Sequence, residues 1–339
     1  MDYKKSGVNI EAGEDAVSRI KPLVRATFNQ NVLTDIGGFG GLYALDLAKW
    51  KHPVLVSSMD GVGTKILVAQ MAGVYDTVGQ DLVNHCVNDI FVQGAIPQYF
   101  LDYIGVGRLS PDVVVEIISG LSKACSENRM SLIGGEMAEM PGIYAEKDFD
   151  LAGTIVGLVE KENLINGSTI KEGDVILGYP SNGLHTNGYS LARQIVFHQM
   201  NLAVDSYIPE LQDTVGAALL KVHPSYFPIL ANHANPQIIH GMAHITGGGL
   251  PGNVKRIIPD GLQATIDTKT WERPTIFRYL MNTGQIDENE MYRAFNMGIG
   301  FIIVVPEKNT DTFINETNAV KIGLIEKNKG LSEKVKLLL

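Results

Sequence analysis

Residues 60–65 read Asp-Gly-Val-Gly-Thr-Lys and follow the apolar run Pro53-Val54-Leu55-Val56. A strand that ends in a carboxylate, turns on two glycines and then offers a hydroxyl and an ammonium has the makings of an anion-binding turn. Glycine lets the backbone approach a ligand, and successive N–H groups form a concavity for phosphate oxygens. The spacing is not that of the P-loop, in which lysine precedes the hydroxyl residue, because Thr64 precedes Lys65. A carboxylate beside a phosphate cradle repels the ligand unless a cation lies between them. The turn therefore predicts Mg²⁺, with Asp60 as a ligand and Lys65 as counter-charge. Magnesium takes a few carboxylates together with phosphate oxygens, in preference to a closed protein cage.

Other acids should then converge on the same place. Asp81, Asn84, His85 and Asn88 recur at i, i+3, i+4 and i+7, with Asp89 at the edge of that face. A polar stripe on a helix is ordinarily a solvated face. Here Leu82, Val83, Val87, Ile90, Phe91 and Val92 surround it, so burial is predicted instead. Glu136 closes the run Ser131-Leu132-Ile133-Gly134-Gly135-Glu136, and Glu139 follows shortly after. Asp60, Asp89 and Glu136 are the candidate metal ligands, with Asp81 in reserve.

Four more glycine-rich turns follow apolar segments, at 37–41, 134–142, 181–188 and 246–249. One such turn reads as a connector; five, most with polar side chains attached, read as a ligand surface. The turn at 181–188 offers Ser181, His185 and Asn187, the turn at 246–249 follows His244 and Thr246, and a further glycine pair near 298–300 brings Asn296. A buried histidine is most often structural, but beside a polyphosphate either His185 or His244 is placed to move a proton or hold an oxygen. The sequence has no Ser-His-Asp order, CxxC pair or HExxH, which sets aside hydrolytic-triad and zinc chemistry.

The elements that position these residues are legible in outline. Short apolar runs predict strands at 53–58, 131–136, 174–180, 263–267 and 297–306, with a short one from 241, and alternation predicts strands at 98–109 and 150–161. Helical spacing predicts helices over 77–95, over 111–129 behind Ser110-Pro111, from about Tyr189, and over 309–318. Strands and helices mix in both halves, which gives an α/β or α+β class. The chain of 339 residues exceeds the usual single domain, and the polar, glycine-bearing stretch at 161–173 sets the boundary: domains 1–166 and 167–339. A net charge of −9 argues against nucleic acid as partner, and no run is long and apolar enough to cross a membrane. The polar, mixed-charge N-terminus is not a secretory signal, and Cys86 and Cys125 read as packing residues in a reducing cytoplasm.

These residues together resemble the phosphoribosylformylglycinamidine cyclo-ligase (aminoimidazole ribonucleotide synthetase) family, of the PurM-like ATP-binding superfamily. The matching runs are YKKSGVNIEAG, GGFGGLYAL, DGVGTK, GQDLVNHCVNDI, QGAIPQYFLDY, GGEMAEMPGIY, SNGLHTNGYSLAR, AHITGGG and EMYRAFNMGIG, covering residues 3 to about 300 in order. The resemblance implies two α/β domains, the first pairing its sheet with that of a second copy in a homodimeric barrel, the second a mixed sheet with helices. It implies ATP and Mg²⁺, a small phosphoribosyl substrate, and closure of an imidazole ring after phosphoryl transfer makes an amide-type oxygen a leaving group. Carried over position by position, Asp60, Asp89 and Glu136 hold metal, and Gly61, Gly63, Thr64 and Lys65 contact phosphates. His185 and Asn187, and His244 with Gly247 and Gly248, line the cleft from the second domain. Lys65, His185 and His244 are the catalytic candidates. The segment bearing Lys4, Lys5 and Gly7 is expected to fold over ATP.

Some positions depart from the family pattern. Met59 and Met137 stand where threonine is usual, Asn84 and His85 where small or apolar residues are usual, and His223-Pro224-Ser225-Tyr226 replaces a Pro-Thr-Arg-Ile-Tyr type run. Selenophosphate synthetases and hydrogenase-maturation dehydratases need cysteines that this sequence lacks at the matching places. Thiamine-monophosphate kinase would share the acids but not the AEMPGIY and HTNGYSL runs. A non-catalytic ATP-binding scaffold is the remaining alternative.

Overall fold

A computed structural model describes residues 7–330 and 333–339. The chain divides into two compact units, one running to Ile90 and including Ile96–Glu160, the other made of Phe91–Ala95 and the chain from Lys161 onward.

The first unit is built on a four-stranded sheet. Its strands are β1 (Pro53–Gly61), β2 (Ile96–Val106), β3 (Ser131–Glu139) and β4 (Phe149–Glu160), in the order β1-β4-β2-β3. All neighbours run antiparallel except β2 and β3, which are parallel. Its helices are α1 (Ile10–Arg25), α2 (Lys65–Ala72), α3 (Asp76–Phe91) and α4 (Pro111–Glu127).

Alternation gives the sheet one buried face, carrying Val56, Phe100, Ile104, Leu151 and Ile155. Helix α3 lies down on that face because β4 carries glycine beneath it. A Cβ at Gly153 would come within 2.2 Å of the Phe100 ring and 3.0 Å of Leu82. The polar stripe of α3 is buried, as its apolar surroundings predict: Asp81, Asn84, His85 and Asn88 are each at most 5% exposed. The helix stops at Phe91 rather than 95, where Gly94 takes a left-handed φ and its N–H donates to the Phe91 carbonyl.

The N-terminal segment holds a helix absent from those expected above, although Ala16, Val17, Ile20, Leu23 and Val24 recur at helical spacing. Helix α1 is capped by Asn9, whose side chain accepts from the Ala12 N–H. Lys4 and Lys5 lie outside the described residues; Gly7 is described, with φ +103 and Pro141 beside it.

The second unit is built on a six-stranded sheet of β5 (Val175–Pro180), β8 (Gly241–His244), β9 (Leu262–Asp267), β10 (Ile299–Val305), β11 (Val320–Lys327) and β12 (Val335–Leu338). The order is β12-β9-β11-β5-β10-β8, with only β12 and β9 parallel. A short hairpin of β6 (Tyr207–Ile208) and β7 (Asp213–Thr214) stands apart from it. Around the sheet run α5 (Tyr189–Arg193), α6 (Val215–Leu219), α7 (Phe227–Leu230), α8 (Gly249–Val254), α9 (Thr275–Gly284), α10 (Glu288–Ala294) and α11 (Thr310–Thr317). Every residue of β10 is buried, the pattern of a strand covered on both faces.

Candidate functional site

In the first unit the glycine turn begins where β1 ends. Even-numbered residues of β1 face α3, so Asp60 points to the buried face and Met59, 69% exposed, points away from it. The methionine at 59 therefore does not touch the Asp60 side. The Nε2 of His85 lies 2.7 Å from Asp60 Oδ2 and 3.7 Å from Asp89 Oδ2. Asp60 Oδ1 also accepts the Gly61 N–H at 2.7 Å. Burial works against charge on His85, but the Asp60 hydrogen bond and the field of Asp89 outweigh it and raise its pKa. Two of the predicted metal ligands thus converge on one nitrogen.

Lys65 opens α2 and is fully buried, its Nζ 2.7 Å from Asp81 Oδ2, which is equally buried. Burial lowers the lysine pKa while the Asp81 carboxylate acts to raise it. Its ammonium is directed at Asp81, inside the unit, and not at the open side of the turn. Gly63, which is exposed and has φ +65, and Thr64 form that open side, and Thr64 is the N-cap of α2 without a side-chain capping bond.

Glu136 is not brought to Asp60 and Asp89. Pairing across the sheet aligns Asp60 with Gly153, Gly153 with Asp102, and Asp102 with Gly135. Gly135 therefore shares the face of Asp60, and the exposed Glu136 is on the other. Three strand spacings, about 14 Å, also separate β1 from β3. Glu139 ties the end of β3 to its surroundings, since its carboxylate accepts from the Asn9 N–H at 2.6 Å and the Leu109 N–H at 2.8 Å.

The same row identifies a carboxyl that is absent from the candidates read from the sequence. Asp102 lies in the wall of a cavity of about 470 Å³, lined by the glycine loop at 37–41 and by Gly134, Gly135 and Met137. Burial pushes its pKa up to about 7. The sequence does carry a signal for it, since Asp102 occupies an inward position of an alternating strand between Phe100 and Ile104.

In the second unit the turn after β5 is held by Asn296. Ser181 Oγ donates to Asn296 Oδ1 at 2.7 Å, and Asn296 Nδ2 donates to the Gly183 carbonyl at 2.9 Å. His185 sits in this turn at φ +64, a left-handed conformation. Gly300 makes room for it: a Cβ there would meet His185 Cε1 at 2.3 Å and Tyr226 Oη at 2.1 Å. Asn187 and Gly247 come together, since a Cβ on Gly247 would meet Asn187 Oδ1 at 3.3 Å. Gly248 has φ +92, and Asn253 Nδ2 ties the turn by donating to the carbonyls of Thr246, Gly247 and Gly249.

His244, at the end of β8, does not stand alone. Its Nε2 is 3.0 Å from the Nε2 of His223, a residue that the sequence marks only as a departure from the family pattern. His223 in turn stacks on His185, with ring centroids 4.0 Å apart and planes 19° from parallel. All three imidazoles are buried.

The chain resembles known proteins along its whole length. The N-terminal domain model of AIR synthase related proteins matches residues 44–159, and the C-terminal domain model matches 171–336. The phosphoribosylformylglycinamidine cyclo-ligase of Trichlorobacter lovleyi is 48% identical, over 98% of this chain and 95% of its own. That of Geotalea uraniireducens is 47% identical, over 100% and 99%. Among solved structures, thiamine-monophosphate kinase from Stenotrophomonas maltophilia superposes with a TM-score of 0.69 at 16% identity, covering 95% of each chain. Hydrogenase maturation protein HypE in complex with ATP gives 0.62 at 18% identity, covering 93% of this chain and 88% of that one. The two structures share the fold.

Proposed function

The chain belongs to the AIR synthase family, and from that premise we infer that it performs the cyclo-ligase reaction of de novo purine synthesis. Formylglycinamidine ribonucleotide is closed to 5-aminoimidazole ribonucleotide, with ATP converted to ADP and phosphate. The full-length identity to cyclo-ligases, 46–49% across eight relatives, carries the assignment of the reaction. Thiamine-monophosphate kinase is a distant fold relative by comparison.

The proposed division of labour begins with the acids. Asp60 and Asp89 suit a hard divalent cation, because their oxygens converge on one point, the Nε2 of His85. Magnesium held there would neutralise phosphate charge. Glu136, on the other face of the sheet, stands outside that cation site. The backbone of Gly63 and Thr64 binds phosphate oxygens, the Gly61 N–H being held by Asp60, and Lys65 anchors the first turn of α2 to Asp81. ATP supplies the phosphoryl group that turns an amide-type oxygen into a leaving group. Asn187, Gly247 and Gly248 orient the reacting groups, with catalysis by positioning. His244 or His185 takes up the proton released as nitrogen closes the ring.

A homodimer is part of the proposal. Leu55 and Met59 are 61% and 69% exposed on the outer face of β1, and an exposed apolar strip on a sheet suits pairing with a second copy in a barrel. No helix among the described residues is long and apolar enough to cross a membrane, and buried free cysteines suit a reducing cytoplasm.

The test is purified protein with ATP, Mg²⁺ and the formylglycinamidine substrate. Substrate-dependent ADP release with formation of the aminoimidazole supports the reading. Nucleotide binding without substrate-dependent ADP release rejects it in favour of a non-catalytic scaffold.

A further inference from the structure

We propose that His223 is a positioning residue for the reaction. It holds the His244 imidazole in one orientation through the hydrogen bond between their Nε2 atoms and braces His185 by stacking, so that the histidines act as one proton-handling unit. The proposal rests on the reading that His244 and His185 move protons.

His223 is fully buried in the segment between α6 and α7 and lies at the centre of the group. Its Nε2 meets His244 Nε2 at 3.0 Å. Its Nδ1 meets Thr186 Oγ1 at 3.4 Å, and Thr186 Oγ1 accepts from Asn187 Nδ2 at 3.4 Å. Its ring face covers His185. Phe301 stacks on Tyr226 at 5.3 Å and lies 6.4 Å from His244, which completes an apolar surround.

Two imidazoles that meet Nε2 to Nε2 share one N–H, so one ring donates and the other accepts. The tautomer of His244 is thereby tied to that of His223, and the orientation of its ring is tied with it. In a buried site a hydrogen-bonded neighbour of this kind stabilises the imidazolium that forms when the pair takes a proton. A second ring also links His244 to Asn187 through Thr186, a path from a proposed ligand contact to a proposed base. Serine or threonine at 223 has no second polar atom for both partners. The imidazole, one of the departures from the family pattern, supplies both.

The experiment compares steady-state kcat and KM of the full-length wild type with H244A, H223F and H223Q. Phenylalanine keeps the stack on His185 and removes both polar atoms; glutamine keeps a polar end that reaches His244. H223F is expected to lower kcat by about 10- to 100-fold with KM changed by no more than about twofold, within the range for loss of an orienting partner. H223Q is expected to recover most of that loss. Wild-type kcat in H223F with H244A impaired overturns the inference alone. H223Q as slow as H223F also overturns it. Wild-type kcat in H244A overturns the reading of His244 and the inference with it. Imidazole ¹⁵N NMR of the wild type gives a readout independent of variant folding: a hydrogen-bonded Nε2 pair assigned to His223 and His244 supports the inference, and its absence overturns it.

Discussion

The imidazole of His85 stands between two carboxylates, 2.7 Å from Asp60 and 3.7 Å from Asp89. An imidazole whose pKa these carboxylates raise thus takes the place that a divalent cation is proposed to fill. Without the imidazole the carboxylates face each other and the site gains from a cation. His85→Met is therefore expected to have a lower Tm than wild type in chelator, and to recover more on adding Mg²⁺. Differential scanning fluorimetry with and without Mg²⁺ reads both. Equal Mg²⁺ shifts for the two proteins would mean that His85 does not occupy the cation position.

Lys65 and Asp81 form a fully buried ion pair. Removing one partner leaves a buried charge uncompensated, at a cost of about 3–5 kcal/mol. Lys65→Met should lose about that much in urea unfolding, and the double variant with Asp81→Leu should regain a large part. Loss of activity with unchanged stability would assign Lys65 to phosphate contact instead.

Asp102 gives a pH dependence of defined sign. Its folded pKa, about 7, lies above the unfolded value near 3.8. Between those values the folded state binds more protons, so this group's contribution to stability falls as pH rises from about 4 to about 7 and stays low above. Asp102→Asn removes the titration. Its unfolding midpoint relative to wild type should rise from pH 5 to pH 8 and change little beyond; a flat difference would place the Asp102 pKa in the ordinary range.

Gly300 is held small by two side chains. A methyl there meets Tyr226 Oη and His185 Cε1 well inside contact distance. Gly300→Ala should cost about 1–3 kcal/mol, the usual range for overpacking. By displacing His185 it should also lower kcat more than tenfold. A stable variant with normal turnover would show that His185 need not sit where it does.

What the sequence makes legible is local. Alternation locates β4, and short apolar runs locate β1, β5 and β10, to within a few residues, while the apolar neighbours of the α3 stripe announce its burial. Helix α1 carries its own signals, the cap Asn9 and an apolar stripe of Ala16, Val17, Ile20, Leu23 and Val24, set among polar residues that mask it in a reading by apolar runs. Strands β11 and β12 carry lysines on their exposed positions and offer no strong alternation. Lys65 looks like an open phosphate ligand as long as the turn is taken without the helix that buries it. Glu136 groups with Asp60 in sequence because its face depends on the strand order β1-β4-β2-β3, and no single segment encodes that order. His223 gains its meaning only from β8 and the turn after β5, both distant in sequence.

The most direct measurement is calorimetric binding of Mg·ATP to wild type and to Asp60→Asn, with thermal unfolding of both. Asparagine keeps the shape and one acceptor of Asp60 and removes the charge. Affinity should fall by more than tenfold while Tm moves by only a few degrees. A sharp drop in Tm with affinity intact would show that Asp60 serves the fold, through His85, and holds no cation.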